Sequence, residues 1–95
     1  MITKTDLQSL VKYAKKNFRH SQTVVEKDID LLLINKNQDN TINSLCLKLI
    51  WSGIYVGLTI NDVRLYEGVL TTPQEIEIFK NILSSLNSQP KPITS

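Results

Sequence analysis

The sequence has very little cysteine and histidine, the residues that form disulfides and most zinc sites. Cys46 is the only cysteine and His20 the only histidine. One cysteine cannot form an intrachain disulfide, which is typical of proteins from a reducing compartment. A structural zinc ion needs a cluster of such ligands, and these two residues lie 26 positions apart. We therefore expect no metal site and a cytoplasmic location, in a cell or in an infected host.

Long apolar stretches and glycine-rich loops are missing as well. The longest run of consecutive apolar residues is the four-residue segment 31–34, whereas a membrane-spanning helix needs about 20. The N-terminus has an early acid, Asp6, and no apolar block behind it, so no secretory signal is expected. Gly53, Gly57 and Gly68 lack the spacing of a phosphate-binding loop. These absences predict a protein that is not an enzyme, with no catalytic residues, no cofactor and no small-molecule substrate.

The composition is that of an ordinary globular domain. The chain has 95 residues, of which 41% are hydrophobic and 21% charged, enough for one compact core with a thin margin. We expect residues 1–88 to form a single α+β domain. The proline-bearing segment 89–95 is expected to be a flexible tail.

Two segments have the periodicity of amphipathic helices. The first, about residues 5–19 with Thr5 as N-cap, has an apolar stripe at helical spacing. The last opens with Thr72, Pro73 and Glu75, the pattern of a capping box with proline at the first helical position. The stripe residues of the two helices are Leu7, Leu10, Val11, Ala14 and Phe18, then Ile76, Phe79, Ile82, Leu83 and Leu86.

Between the helices, four segments alternate as strands do. A strand at 28–34 is followed by three more, with two-residue turns predicted at Ser52-Gly53 and Asn61-Asp62. These turns would pair Trp51 with Ile54, Leu49 with Val56, Leu47 with Leu58, Ile60 with Val63, and Leu58 with Leu65. Residues 21–27 are left unassigned. The prediction is a two-layer sandwich of order α-β-β-β-β-α, with a four-stranded antiparallel meander under N- and C-terminal helices.

The sheet face opposite the leucines is the first candidate binding surface. It combines aliphatic, aromatic and basic side chains, which suit a protein partner or a second copy of the chain. Cover by one of the helices and stacking of single-stranded nucleic acid are the alternatives. Exposed strand edges add a second route to dimerisation. The interface candidates are Leu32, Ile34, Lys48, Ile50, Tyr55, Arg64 and Tyr66.

The first helix provides the second candidate surface. Residues 1–20 hold five basic residues against one acidic residue. The basic ones at helical spacing form a stripe that would contact phosphates without sequence preference; the alternative is a solvated helix face. The nucleic-acid candidates are Lys12, Lys15, Lys16 and Arg19.

A third, weaker pattern lies on the first two predicted strands. Asp30 followed by Cys46-Leu47-Lys48 resembles the acid and acid-x-lysine pattern of PD-(D/E)xK nucleases, which hold Mg²⁺. Cys46 stands where a carboxylate should be, and Mg²⁺ prefers oxygen ligands. The resemblance therefore implies at most a degenerate, inactive nuclease-like domain, and the simpler interpretation is a cross-strand ion pair between Asp30 and Lys48. The favoured function is a non-enzymatic protein-binding role of the adaptor, chaperone or inhibitor type, with a nucleic-acid-binding accessory protein as the alternative.

Overall fold

The computed structural model describes residues 2–18, 21–27 and 29–88 and has two helices and one five-stranded antiparallel sheet. The strands follow one another in the order of the sequence, as a meander. The α+β class is confirmed, but the prediction of four strands is wrong. The elements are α1 (Lys4–Asn17), β1 (Gln22–Glu26), β2 (Asp30–Lys36), β3 (Ile42–Ile50), β4 (Gly53–Ile60), β5 (Val63–Leu70) and α2 (Pro73–Ser88).

The additional strand, β1, is an edge strand. It pairs antiparallel with β2, from Gln22 opposite Ile34 to Glu26 opposite Leu31, and a bulge interrupts the pairing at Val24. Four of its five side chains are exposed. Because neither of its faces is well buried, the strand has no apolar alternation, and the sequence pattern therefore missed it.

The hairpin between β3 and β4 turns one residue earlier than predicted. Trp51 and Ser52 form the turn, and Gly53 pairs with Ile50 at a φ of 150°. Ile54 therefore pairs with Leu49 instead of Trp51. The register differs from the prediction by two residues. Because side chains alternate between the two faces with a period of two, all the remaining side chains of β3 and β4 keep their expected faces. Trp51 leaves the core side and is 97% exposed at the turn.

The hairpin between β4 and β5 starts as predicted and then departs from the predicted register. Asn61 and Asp62 have positive φ values of 53° and 66°, as the turn requires, and Ile60 pairs with Val63. A bulge follows, so that Tyr66 instead of Leu65 lies opposite Leu58. The predictions that Leu65 lies in the core and that Tyr66 lies on the second sheet face are both wrong.

The side chains on either side of this bulge show its consequence. Leu65 is 50% exposed at the sheet edge. Tyr66 points to the helix side, where its ring centroid lies 5.3 Å from that of Phe79. The bulge therefore replaces an aliphatic contact with an aromatic pair between β5 and α2.

Both helices pack on the leucine face of the sheet. Thr3, not Thr5, is the N-cap of α1 and forms a capping box with Asp6, whose carboxylate accepts from Thr3 N at 2.8 Å. In α2, Glu75 N donates to Thr72 Oγ1 at 3.2 Å, as the predicted capping pattern requires. The buried core is Leu7, Leu10, Ala14, Leu31, Leu33, Leu45, Leu47, Ile54, Val56, Leu58, Leu70, Ile76, Phe79 and Leu83.

Candidate functional site

The face of the sheet that points away from the helices is the first candidate site. Within the described part of the chain, both helices contribute their buried residues to the leucine side, so neither of them crosses this second face. We call it the open face. By the strand pairing it includes Gln22, Val25, Asp30, Leu32, Ile34, Ser44, Cys46, Lys48, Ile50, Tyr55, Gly57, Thr59, Arg64, Glu67 and Val69.

Two small residues, Cys46 and Gly57, lie side by side in the middle of the open face and leave space above the sheet. Cys46 pairs with Gly57, which in turn pairs with Glu67. A Cβ atom added to Gly57 would lie 2.2 Å from Arg64 Nη1 and 3.4 Å from the Tyr55 hydroxyl. The Arg64 guanidinium therefore lies directly on the backbone of Gly57, in space that any larger residue would occupy.

One side-chain hydrogen bond lies close to this guanidinium. The Tyr55 hydroxyl donates a hydrogen bond to Glu67 Oε2 at 2.7 Å. That hydrogen bond, with smaller contributions from burial and from the charge of Glu67, raises the pKa of the Tyr55 hydroxyl. Tyr55 is therefore a stable hydrogen-bond donor and not an acid or base at neutral pH.

The pair that resembles a nuclease motif lies at one end of the open face. Asp30 and Lys48 are register partners on β2 and β3, but no ion pair joins them among the described residues. One carboxylate oxygen of Asp30 is buried and has no hydrogen-bond partner there. No group of three histidine, cysteine or acidic residues that could hold a metal ion is found in the ranges that the structure describes.

Cys46 lies between these charges at the centre of the face. Burial, and next the negative charge of Asp30, raises the pKa of the Cys46 thiol, against the opposing effects of Arg64 and Lys48. A raised pKa reduces the thiolate fraction at neutral pH, and the thiolate is the reactive form. At neutral pH the partly buried Cys46 is therefore mainly in the thiol form, and mildly alkaline pH is needed for its alkylation.

Alkylation of Cys46 tests this electrostatic arrangement. We expect Asp30→Asn to react faster with iodoacetamide than the parent protein at the same mildly alkaline pH, because removing the nearby carboxylate charge stabilises the thiolate. The control, Glu67→Gln, removes a charge from the same face on β5, two strands away from Cys46 on β3. It is expected to leave the rate unchanged. Equal rates for Asp30→Asn and the parent would contradict this account of the pKa.

Six of the seven predicted interface residues lie together on the open face, and Tyr66 does not. Sequence reasoning missed Val25, because β1 was unassigned. It also missed Glu67 and Val69, because the predicted fourth strand covered only residues 63–66. The bulge in β5 changes the face of every residue after Leu65. No pattern in the sequence signals that bulge.

A groove between α1 and β1 is the second candidate site, on the helix side of the sheet. It has a volume of about 410 Å³, within the range of roughly 300–1,000 Å³ that is typical of ligand pockets. Its floor is apolar and its rim is charged. It is lined by Leu7, Gln8, Val11, Lys12, Lys15, Glu26 and Lys27.

The groove involves part of the predicted basic stripe. Lys15 forms an ion pair with Glu26 across it, and Lys12 lines it. Lys16 is exposed and is not among the lining residues, and Arg19 lies outside the described residues. The stripe is therefore divided between the groove rim and the solvated side of α1.

Two further findings bear on function. Neither α1 nor α2, the helices in the described ranges, is long and apolar enough to cross a membrane. No protein-family model, no curated protein and no solved structure matches this chain.

Proposed function

We propose that this chain is a non-enzymatic protein-binding module whose open face forms the contact, with a second copy of the chain as the first occupant. The observation that carries the proposal is a sheet face of mixed apolar and charged character that neither of the two described helices covers. Its aliphatic members Leu32, Ile34, Ile50 and Val69 are only partly buried. Further burial of these side chains would stabilise a complex, at about 25 cal/mol per Å² of apolar surface.

The size of the face is consistent with a specific interface. Five strands about 4.8 Å apart and roughly seven residues long cover about 24 by 23 Å in projection. The accessible area of protruding side chains is larger than their projection. A standard interface buries about 800 Å² on each partner, so the open face is of the right order.

The charges on the face suit self-association. Asp30 and Glu67 carry negative charge, and Lys48 and Arg64 carry positive charge. Two copies would therefore meet without net repulsion, and each acid could face a base of the other copy. Tyr55 and Arg64 belong to the residue types that are enriched at interface hot spots.

The strand edges are less suited to association than the face. Both edge strands, β1 and β5, carry a bulge that interrupts regular pairing. Bulges on edge strands hinder edge-to-edge pairing. This feature favours the open face over sheet extension as the route to a dimer.

Light scattering coupled to size exclusion, over a wide concentration range, tests the proposal. We expect a concentration-dependent dimer, and we expect Leu32→Asp and Ile50→Asp each to weaken it by about 100-fold, because each would bury an unpaired carboxylate. Circular dichroism would confirm that both variants fold.

The matched control is Leu65→Asp, which places the same charge on the exposed β5 edge and off the open face. It is expected to leave the dimer intact. Loss of the dimer in Leu65→Asp alone would point to edge pairing. A parent protein that stays monomeric at every concentration would remove the second copy as the occupant.

A further inference from the structure

The groove between α1 and β1 lies where the five-stranded sheet extends beyond the two helices that pack on it. A helix is about 10 Å across, so two helices side by side cover about four strands at a spacing of about 4.8 Å. The sheet has five strands. One strand is therefore left uncovered by α1 and α2, the two helices of the described ranges.

The contacts of α1 identify that strand as β1. One flank of α1 faces α2, since Lys80 Nζ lies 3.5 Å from Ser9 Oγ and 5.7 Å from the centroid of the Tyr13 ring. The opposite flank of α1 faces β1 through the ion pair of Lys15 with Glu26. The groove lies on this second flank, where a third helix of the layer would pack.

The residues that line the groove indicate which kind of ligand would be complementary to it. The apolar floor is the partly buried Val11 and the edge of Leu7, which is otherwise buried in the core. Among the described lining residues, Lys12, Lys15 and Lys27 contribute three positive charges to the rim, and Glu26 contributes one negative charge. An occupant that complements this lining has an apolar stripe flanked by acidic side chains. That is the description of an acidic amphipathic helix.

Two details make nucleic acid a poorer occupant than a helix. The described lining residues include no aromatic ring on which a base could stack. The floor of the groove is apolar, and it would contact the apolar stripe of a helix but offers no partner to a phosphate.

We infer that this groove binds an acidic amphipathic helix of a partner protein, which packs beside α1 above β1 and completes the helix layer. The site is separate from the open face, because it lies on the opposite side of the sheet. The helix places its apolar stripe on Val11, above the buried Leu7, and its acidic residues beside Lys12 and Lys27.

Fluorescence anisotropy with a panel of labelled synthetic peptides tests the inference. The panel consists of helical peptides with leucine at helical spacing and glutamate elsewhere, in several registers. A matched panel has lysine in place of glutamate. We expect binding of glutamate peptides and none of the lysine peptides; equal binding of both panels, or no binding of any glutamate peptide, overturns the inference.

Charge variants of the exposed rim locate the binding. The double variant Lys12→Glu, Lys27→Glu is expected to weaken glutamate-peptide binding about tenfold, because it reverses two rim charges. The control double variant Lys16→Glu, Lys36→Glu makes the same charge change outside the groove and is expected to have little effect. Equal losses in the two variants would show unspecific attraction and overturn the site.

Two more measurements test the role of the rim charges and the choice between a peptide and nucleic acid as the occupant. Glu26→Gln removes the acid of the rim and is expected to strengthen peptide binding about threefold; weaker binding would contradict the role of the rim charges. A labelled single-stranded oligonucleotide is expected to bind more weakly than the best peptide. Tighter binding of the oligonucleotide, lost in Lys12→Glu, Lys27→Glu, would instead support the nucleic-acid hypothesis for α1.

Discussion

Replacing Gly53 by alanine is expected to lower the free energy of unfolding by about 2–4 kcal/mol. Gly53 begins β4 with a φ of 150°, which residues with a side chain rarely adopt. A Cβ atom added there would lie 2.1 Å from the backbone oxygen of Leu70. Because backbone atoms of the neighbouring strand cannot move aside cheaply, the pairing of β4 with β5 would have to distort.

Gly68→Ala is the matched control for this prediction. A Cβ atom at Gly68 would lie 3.9 Å from Tyr66 Cε1, which is ordinary contact. Alanine there restricts the unfolded chain, so a change of no more than about 1 kcal/mol is expected. Urea denaturation followed by circular dichroism at one protein concentration measures both variants. Equal effects would mean that the turn is not at Trp51-Ser52.

Phe79→Ala is expected to cost about 3–5 kcal/mol of unfolding free energy. The Phe79 side chain is fully buried and contacts the Tyr66 ring between α2 and β5. Removing it leaves a cavity between these elements. A domain of this size has a total stability of about 5–15 kcal/mol, so the variant would be marginally folded.

The adjacent residue provides the control for Phe79. Ile78 is on the same helix but is 58% exposed, so Ile78→Ala is expected to change stability by no more than about 0.5 kcal/mol. Thermal and urea denaturation monitored by circular dichroism compare the two variants. A loss at Ile78 as large as that at Phe79 would mean that α2 packs through a different face.

The elements with a clear periodicity were predictable, and those without one were not. The apolar stripes predicted α1 and α2, and the alternation of Leu45, Leu47 and Leu49 predicted β3 and its buried face. β1 lies at an edge with exposed side chains, so burial leaves no pattern in its sequence. Because β1 forms one wall of the groove, the prediction of four strands also left that groove out.

The candidate interface was predictable where the strands are regular. Leu32, Ile34, Lys48, Ile50, Tyr55 and Arg64 share the open face because alternation assigns them to it. Tyr66 was misplaced because the bulge after Arg64 shifts the alternation by one residue. Its aromatic contact with Phe79, far along the sequence, is not visible in local spacing.

By itself the sequence determined which side chains are buried in regular strands and helices, because side-chain periodicity depends on local backbone geometry alone. It also determined the Asn61-Asp62 turn, because few residues accept positive φ at both positions. Only the tertiary structure decided whether Ile54 pairs with Trp51 or with Leu49 in the β3–β4 hairpin. The two registers differ by two residues and place the side chains on the same faces, so alternation cannot distinguish them. The tertiary structure also decided between Leu65 and Tyr66 for the core, because only packing against Phe79 distinguishes them.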